Sequence, residues 1–315
     1  MYAICVESSH QRGMGHFYRA LNFIDYLSGR GLDSILLIND HKPSLSILKK
    51  SKINHEVVDL FDRDSGWEQD VVTKYSAEAW INDRLDTEYQ HAQTVKQTGV
   101  KLVTFDDRGK GASLADLHFA PLIFGDIKEL GGARICCGTG YLILSGEIDQ
   151  YRHLRQRQDS VIVTLGGSDT YGATLKVVKI LAESGRSMTV VAGPAFEHKS
   201  ELISLVTPSI KVIDSVGSLI QYFSNFDLAV TGGGVTPFEA NASGLPCIVI
   251  ANEWFEEPVC EYLQGTGGAV YAGPCDNIDE DILSKSLDIE SMSRAAMAHI
   301  NTGGAERVYH EIESL

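Results

Sequence analysis

Apolar runs of strand length alternate with amphipathic stretches of helix length along the chain, and this alternation limits its fold more than any single residue. Strands that keep giving way to helices build βα units, and these stack into a mostly parallel sheet covered by helices. Tyr2 to Val6 is the first expected strand. Phe17, Ala20, Leu21, Ile24 and Leu27 then recur at helical spacing until Gly29 and Gly31, and Ser34 to Ile38 is the second strand. Ala79-Trp80-Ile81 and Val100 to Phe105 read as short buried strands on either side of a helix from Thr87 to Gln97. Both run into acidic clusters, Asn82-Asp83-Arg84-Leu85-Asp86 and Asp106-Asp107-Arg108-Gly109, where open α/β sheets bind ligands beyond the carboxyl ends of their strands.

A polar run from Asp149 to Asp159 interrupts the pattern, and a second series follows. Its expected strands are Val161 to Leu165, Met188 to Ala192, Lys211 to Ile213, Leu228 to Thr231 and Cys247 to Ala251, with helices Tyr171 to Ser184 and Pro237 to Ser243. At 315 residues the chain exceeds one ordinary domain. Two α/β lobes are therefore expected, 1–150 and 151–315, with a last helix from Gly303 packing back on the first. Acidic residues outnumber basic ones by 42 to 27, a formal charge of −15 that repels a phosphate backbone and argues against nucleic acid as partner. The start lacks a basic region followed by an apolar core, and no apolar run reaches the ~18 residues of a membrane span, so the cytoplasm is the expected address. Cys5, Cys136, Cys137, Cys247, Cys260 and Cys275 show no Cys-x-x-Cys spacing, and they read as reduced core thiols with no metal implied.

Three glycine loops carry the candidate chemistry. The first, Arg12-Gly13-Met14-Gly15-His16-Phe17-Tyr18-Arg19, opens a helix whose start offers free amides and a partial positive charge. A dinucleotide fingerprint needs a third glycine where Tyr18 stands, so no NAD is expected. His16, in the first helical turn, either serves as a general base near neutral pH or hydrogen-bonds its own loop. The second loop, Leu165-Gly166-Gly167-Ser168-Asp169, suits close phosphate approach, although Ser168 and Asp169 equally suit helix caps. The third is Gly232-Gly233-Gly234-Val235-Thr236-Pro237-Phe238-Glu239. There Glu239 has two competing roles: a ligand contact, or a capping box with Thr236 as N-cap and Pro237 at the first helical position.

Gly13-Met14-Gly15-His16, Gly166-Gly167-Ser168, and Gly232-Gly233-Gly234 followed by Glu239 and Gly244-Leu245-Pro246 resemble, in that order, the GT-B sugar-nucleotide enzymes. The nearest likeness is to the UDP-sugar hydrolases of pseudaminic-acid biosynthesis and the spore-coat polysaccharide proteins; the glycosyltransferase that forms lipid II is a more distant one. The resemblance implies two Rossmann-like lobes with a cleft between them and no cofactor. It makes His16 the base, and puts Gly166, Gly167, Ser168, Gly232, Gly233 and Gly234 around the diphosphate of a UDP-sugar with Glu239 on the ribose. Gly13, Gly15, Arg19, Asp83, Asp107, Asn252 and Glu253 fall on the sugar side. Glu253 stands where relatives carry glutamine, and Asn82-Asp83-Arg84 where the hydrolases carry Asp-x-Tyr.

The expected reaction is hydrolysis, in which His16 deprotonates water, water attacks the anomeric carbon, and UDP leaves while amides stabilise its charge. Transfer of the sugar from a UDP- or CMP-sugar to an acceptor hydroxyl is the alternative. A non-catalytic sugar-nucleotide binder is the third reading, and it leaves His16 without a task.

Overall fold

A computed structural model describes the chain except residues 10–13, 123–126, 167–168, 170, 184, 194–195, 197, 215 and 217. Two units make it up, Met1–Leu144 with Gly303–Leu315, and Ser145–Thr302. Among the described residues, no helix is long and apolar enough to cross a membrane.

The first unit is built on seven parallel strands: β1 (Tyr2–Val6), β2 (Ser34–Ile38), β3 (His55–Val57), β4 (Ala79–Asp83), β5 (Lys101–Phe105), β6 (Leu117–Ala120) and β7 (Arg134–Cys137). Their order is β3-β2-β1-β4-β5-β6-β7. Side chains alternate between two buried faces, as a sheet covered on both sides requires. Ile4 and Val6 pack with Phe17, Phe23 and Leu27 of helix Gly15–Gly29, while Ala3 and Cys5 pack with Trp80, Val71 and Val95 on the other face. Strand β4 runs further than its apolar residues suggest. Asn82 and Asp83 lie within it because Cys5 and Val6 pair with them from one side and Thr104 pairs with Asn82 from the other. The helix expected from Thr87 spans Tyr89–Gln97, since the Thr87 amide is taken by Asp107. Helix Gly304–Glu313 belongs to this unit: Val308 and Ile312 join the Phe17 cluster, and the Tyr309 ring lies 6.0 Å from that of Tyr26.

The second unit carries six parallel strands: β8 (Ser160–Thr164), β9 (Ser187–Val191), β10 (Ile210–Ile213), β11 (Leu228–Gly232), β12 (Cys247–Ala251) and β13 (Ala269–Pro274), in the order β10-β9-β8-β11-β12-β13. The polar run 149–159 lies inside this unit, behind the division at Leu144/Ser145. Arg155 explains why a polar stretch folds in. Its guanidinium is buried and donates to the carbonyls of His153 (2.6 Å), Ser243 and Phe223 (2.9 Å), and burial brings its pKa down to about 10. Helix Ala173–Glu183 is shorter than the expected Tyr171–Ser184 because Asp169 ends the loop by accepting from the amides of Ala173 and Thr174, both at 2.9 Å. All six cysteines are free thiols, and Cys137 alone among them is not buried.

The last helix contributes core to the first unit, so trimming it should cost what a core truncation costs. Ile312→Ala, at a site with no exposure, is expected to lower unfolding free energy by about 2–5 kcal/mol in a denaturant titration. A loss below about 0.5 kcal/mol would mean that this helix frays without consequence for the sheet.

Candidate active site

In each sheet, the strand order reverses beside its first strand. β1 has β2 on one side and β4 on the other, and β8 lies between β9 and β11. Such switch points open a crevice at the carboxyl ends of the strands. The sequence candidates gather at both.

At the switch point of the first sheet, helix Gly15–Gly29 places His16 and Arg19 three residues apart on one face, while β4 ends at Asp83. The His16 Nδ1 lies 2.6 Å from Asp83 Oδ1. Arg19 grips the same carboxylate through Nε to Oδ2 (2.8 Å) and Nη2 to Oδ1 (2.5 Å), and donates through Nη1 to Asp106 Oδ2 (2.5 Å). Burial by itself would raise the Asp83 pKa, but the charges of Arg19 and His16 outweigh it and hold the group at about 2. Asp83 is therefore an acceptor only, and the short contact assigns the ring proton to Nδ1. Arg19 Nη2 also lies 3.2 Å from Nδ1, but a protonated Nδ1 cannot accept from it. Nε2 keeps its lone pair, and no described residue bonds it. The His16 side chain is 14% exposed and that of Asp83 only 3%.

The other candidates of this unit divide. Gly15 is the exposed first residue of the helix, and Gly13 lies outside the described residues. Arg19, expected on the sugar side, is 3% exposed with its guanidinium spent on two carboxylates, so it positions Asp83. Asp107 is likewise corrected. Completely buried, it accepts from the amides of Thr87 (2.9 Å) and Gly109 (2.8 Å) and from Thr104 Oγ1 (2.6 Å), which makes it the pin of its loop. Its neighbour Asp106, at a left-handed φ of +47°, is the carboxylate that shares Arg19 with Asp83. The adjacent pair Asp106-Asp107 was the only signal of it in the sequence. Arg84 was missed too: its guanidinium is buried 3.7 Å from Glu7, beneath the Phe61 ring, and makes no hydrogen bond among the described residues.

At the second switch point, Leu165-Gly166 follows β8, and Gly232 closes β11 with Gly233 and Gly234 after it. Gly167 and Ser168 lie outside the described residues. Gly166 has a φ of +99°. At Gly233 a Cβ would fall 2.7 Å from Glu256 Cβ and 2.9 Å from Cys260 Sγ, so only glycine lets these elements close up. Asn252 ties the ends of β12 and β8 through Nδ2 to Leu165 O (3.4 Å), and its amide donates to Glu256 Oε2 (2.8 Å). Glu253 accepts from the Tyr171 hydroxyl (2.8 Å), beside the exposed rings of Trp254 and Phe255.

Of the two roles open to Glu239, the capping box is absent. Helix Thr236–Ala242 has Val235 as its N-cap, already in helical conformation, with no side-chain cap bond, so Thr236 sits one residue too far in to cap. The Glu239 carboxylate has no hydrogen-bond or ion-pair partner among the described residues, and burial pushes its pKa up to about 7.

This arrangement matches solved structures across the whole chain. MurG of Acinetobacter baumannii superposes with a TM-score of 0.70 at 11% identity, covering 100% of this chain and 99% of that one. The chain has the GT-B fold. Two further GT-B neighbours are a UDP-GlcNAc 2-epimerase from Neisseria meningitidis bound to UDP-GlcNAc (TM-score 0.66, 13% identity, all of both chains) and the glycosyltransferase VinC in complex with dTDP (TM-score 0.63, 13% identity, 100% and 99%). In sequence, the chain is 26% identical over 284 residues to the uncharacterized protein MJ1062 of Methanocaldococcus jannaschii, covering 83% of this chain but only 58% of that protein. It is 22% identical over 321 residues to the spore coat polysaccharide biosynthesis protein SpsG of Bacillus subtilis, covering 96% of this chain and 92% of SpsG. No family model matches.

Glu239 yields a pH test that needs no substrate. Its folded pKa of about 7 is raised from the ordinary 4.5, so the folded state holds the proton more tightly than the unfolded chain. The carboxyl therefore costs nothing below about pH 4.5, and stability is lost as pH rises through 7. Glu239→Gln, which mimics the protonated form, should match the parent at pH 4 and exceed it at pH 8 by about 1–3 kcal/mol. A variant less stable than the parent at pH 8 would show the carboxylate to be a structural acceptor.

Proposed function

We propose that this protein is a GT-B glycosyltransferase of glycan biosynthesis that takes a sugar from a nucleotide-sugar donor, most simply a UDP-sugar, and passes it to an acceptor hydroxyl. The observation that carries the catalytic part of the reading is the partly exposed His16 ring, whose Nδ1 lies 2.6 Å from Asp83 at the switch point of the first sheet; a base there serves transfer and hydrolysis alike. On this reading the acceptor hydroxyl gives its proton to Nε2 as its oxygen attacks the anomeric carbon. The bond from that carbon to the diphosphate oxygen breaks, and the nucleoside diphosphate leaves with the electron pair.

The second unit is assigned to the nucleotide. Backbone amides of the loops at Gly166 and Gly232-Gly233-Gly234 receive the diphosphate, with Gly167 and Ser168 completing the set by resemblance, and the amides act as preorganised donors to the leaving group. Glu239 accepts from the ribose hydroxyls, a role supported by its lack of a structural partner. Asn252 and Glu253 face the sugar. An open hollow of about 590 Å³ at the end of β10, bounded by Ile213, Val216, Ser218 and Tyr222 and by the carboxylates Glu147 and Asp214, lies in the same unit. The likeness of this chain to SpsG, a polysaccharide-biosynthesis protein, and to VinC, a glycosyltransferase crystallised with dTDP, supports transfer over the hydrolysis that the family resemblance implied.

The deciding experiment incubates the protein with a panel of UDP-sugars in ¹⁸O-water, with and without glycan acceptors. Transfer gives a glycosylated acceptor free of label; label on the anomeric oxygen of released sugar would establish hydrolysis instead, and label on phosphate would overturn attack at carbon altogether. His16→Asn is expected to lower turnover by about 10²- to 10⁴-fold while KM for the donor stays within about threefold. Normal turnover in that variant would remove His16 from the chemistry.

A further inference from the structure

We infer that Asp106 is a positioning residue for His16, acting through Arg19 and Asp83, and that its negative charge is what allows the buried cluster to take up a proton at Nε2. The inference deepens the reading of His16 as the base and rests on it.

The argument begins with charge. Arg19 is a buried cation between two buried carboxylates, Asp83 and Asp106. One carboxylate cancels it, so the trio carries a net charge of −1, and a proton on His16 brings the four groups to neutrality. General-base catalysis passes through that protonated state. Without the charge of Asp106, Arg19 and Asp83 would cancel each other, and the imidazolium would be an uncompensated cation in a poorly solvated place. Among the described residues, Cys137 is a further titratable group near this cluster: partial burial raises its thiol pKa, and the charge of Asp106 raises it further.

Geometry supports the same assignment. Arg19 lies with its Cζ 5.0 Å from the centroid of the Phe105 ring, and Asp106 draws Nη1 to one side, so the Nε and Nη2 edge is presented to Asp83. Both Asp83 oxygens are then fixed, one of them against His16 Nδ1. Asp106 itself is held by the Leu122 amide on Oδ1 (3.0 Å) and by its own amide on Phe119 O (2.8 Å). Its φ of +47° is tolerated by aspartate and asparagine better than by other residues with a Cβ, and a backbone kept in a sparsely populated region marks a position that the surroundings enforce.

Asp106→Asn tests the inference cleanly, because asparagine keeps the shape and the left-handed backbone while removing the charge. The primary readout is the ¹⁵N and ¹H NMR titration of the His16 ring in the free protein, which needs no substrate and so stands apart from the proposed reaction. In the parent, the neutral ring is expected as the Nδ1–H tautomer. In Asp106→Asn the titration midpoint of the ring should move to lower pH by about one unit, with kcat for the donor falling about 10- to 100-fold and KM within about threefold. Glu290→Gln, which removes an exposed carboxylate paired with Arg294, should move neither readout. A midpoint that stays in place overturns the inference even if kcat falls, since a purely structural role would produce that pattern. A midpoint that moves while His16→Asn keeps full turnover upholds the electrostatic link and defeats the base assignment instead. Should Asp106→Asn fold poorly, Asp106→Gly removes the same charge, and glycine adopts this φ without strain.

Discussion

A guanidinium buried among aromatic and aliphatic side chains is costly unless its donors are met, and Arg19 is met by carboxylates from two adjacent strands. That arrangement constrains much of the first unit. Asp83 and Asp106 can share one cation because β4 and β5 pair in parallel register, Asn82 opposite Thr104, so that both strands end at the same height. Arg19 can reach between them because Phe17, Ala20 and Phe23 seat their helix on the sheet and turn positions 16 and 19 to its carboxyl edge. The basic nitrogen of His16 is thus the outcome of a strand register, a helix face and one shared cation.

On the proposed reading, the second unit meets its ligand by different physics. Its switch point presents glycine-loop backbone and, in Glu239, a carboxyl whose pKa burial pushes up to about 7. Amide donors bind a diphosphate through partial charges that water cannot titrate away, which suits a protein whose formal charge of −15 would otherwise repel an anion. A partly protonated carboxyl beside such a site limits the repulsion further, and accepting hydroxyl protons from a ribose would favour its ionised form.

The strands, the two-part division of the chain and the glycine loops were legible from apolar runs ending in Gly-rich turns, because the buried centre of a parallel sheet writes itself as continuous hydrophobic sequence. Polar strand ends were not. Asn82 and Asp83 read as loop, yet pairing with β1, and for Asn82 also with β5, holds them in β4. Asp106 and Asp107 are chemically identical neighbours, and only the left-handed turn at Asp106 sends one carboxylate to Arg19 and the other into the loop. The Thr236, Pro237 and Glu239 pattern satisfied a local capping rule that failed because the chain after Gly234 enters the helix at Val235, ahead of the residue meant to cap it. Arg84 stood out only as part of an acidic cluster that departs from the family pattern; its burial beside Glu7 and Phe61, distant in sequence, could not be read from that.

A base at Nε2 removes a proton from whichever hydroxyl is held against it, so the histidine and its carboxylates are indifferent to water or acceptor. On the proposed reading the outcome is decided by what fills the space around the sugar. In the second unit, beside Glu253, Trp254 is 73% exposed and Phe255 43% exposed, their rings 5.9 Å apart. Rings of this size leave a large apolar surface in water at a cost of roughly 25 cal/mol per Å², which a water nucleophile does nothing to relieve. On that reading an acceptor that stacks on them recovers that cost, so a preference for transfer comes from aromatic surface while the base supplies only the proton chemistry common to both outcomes.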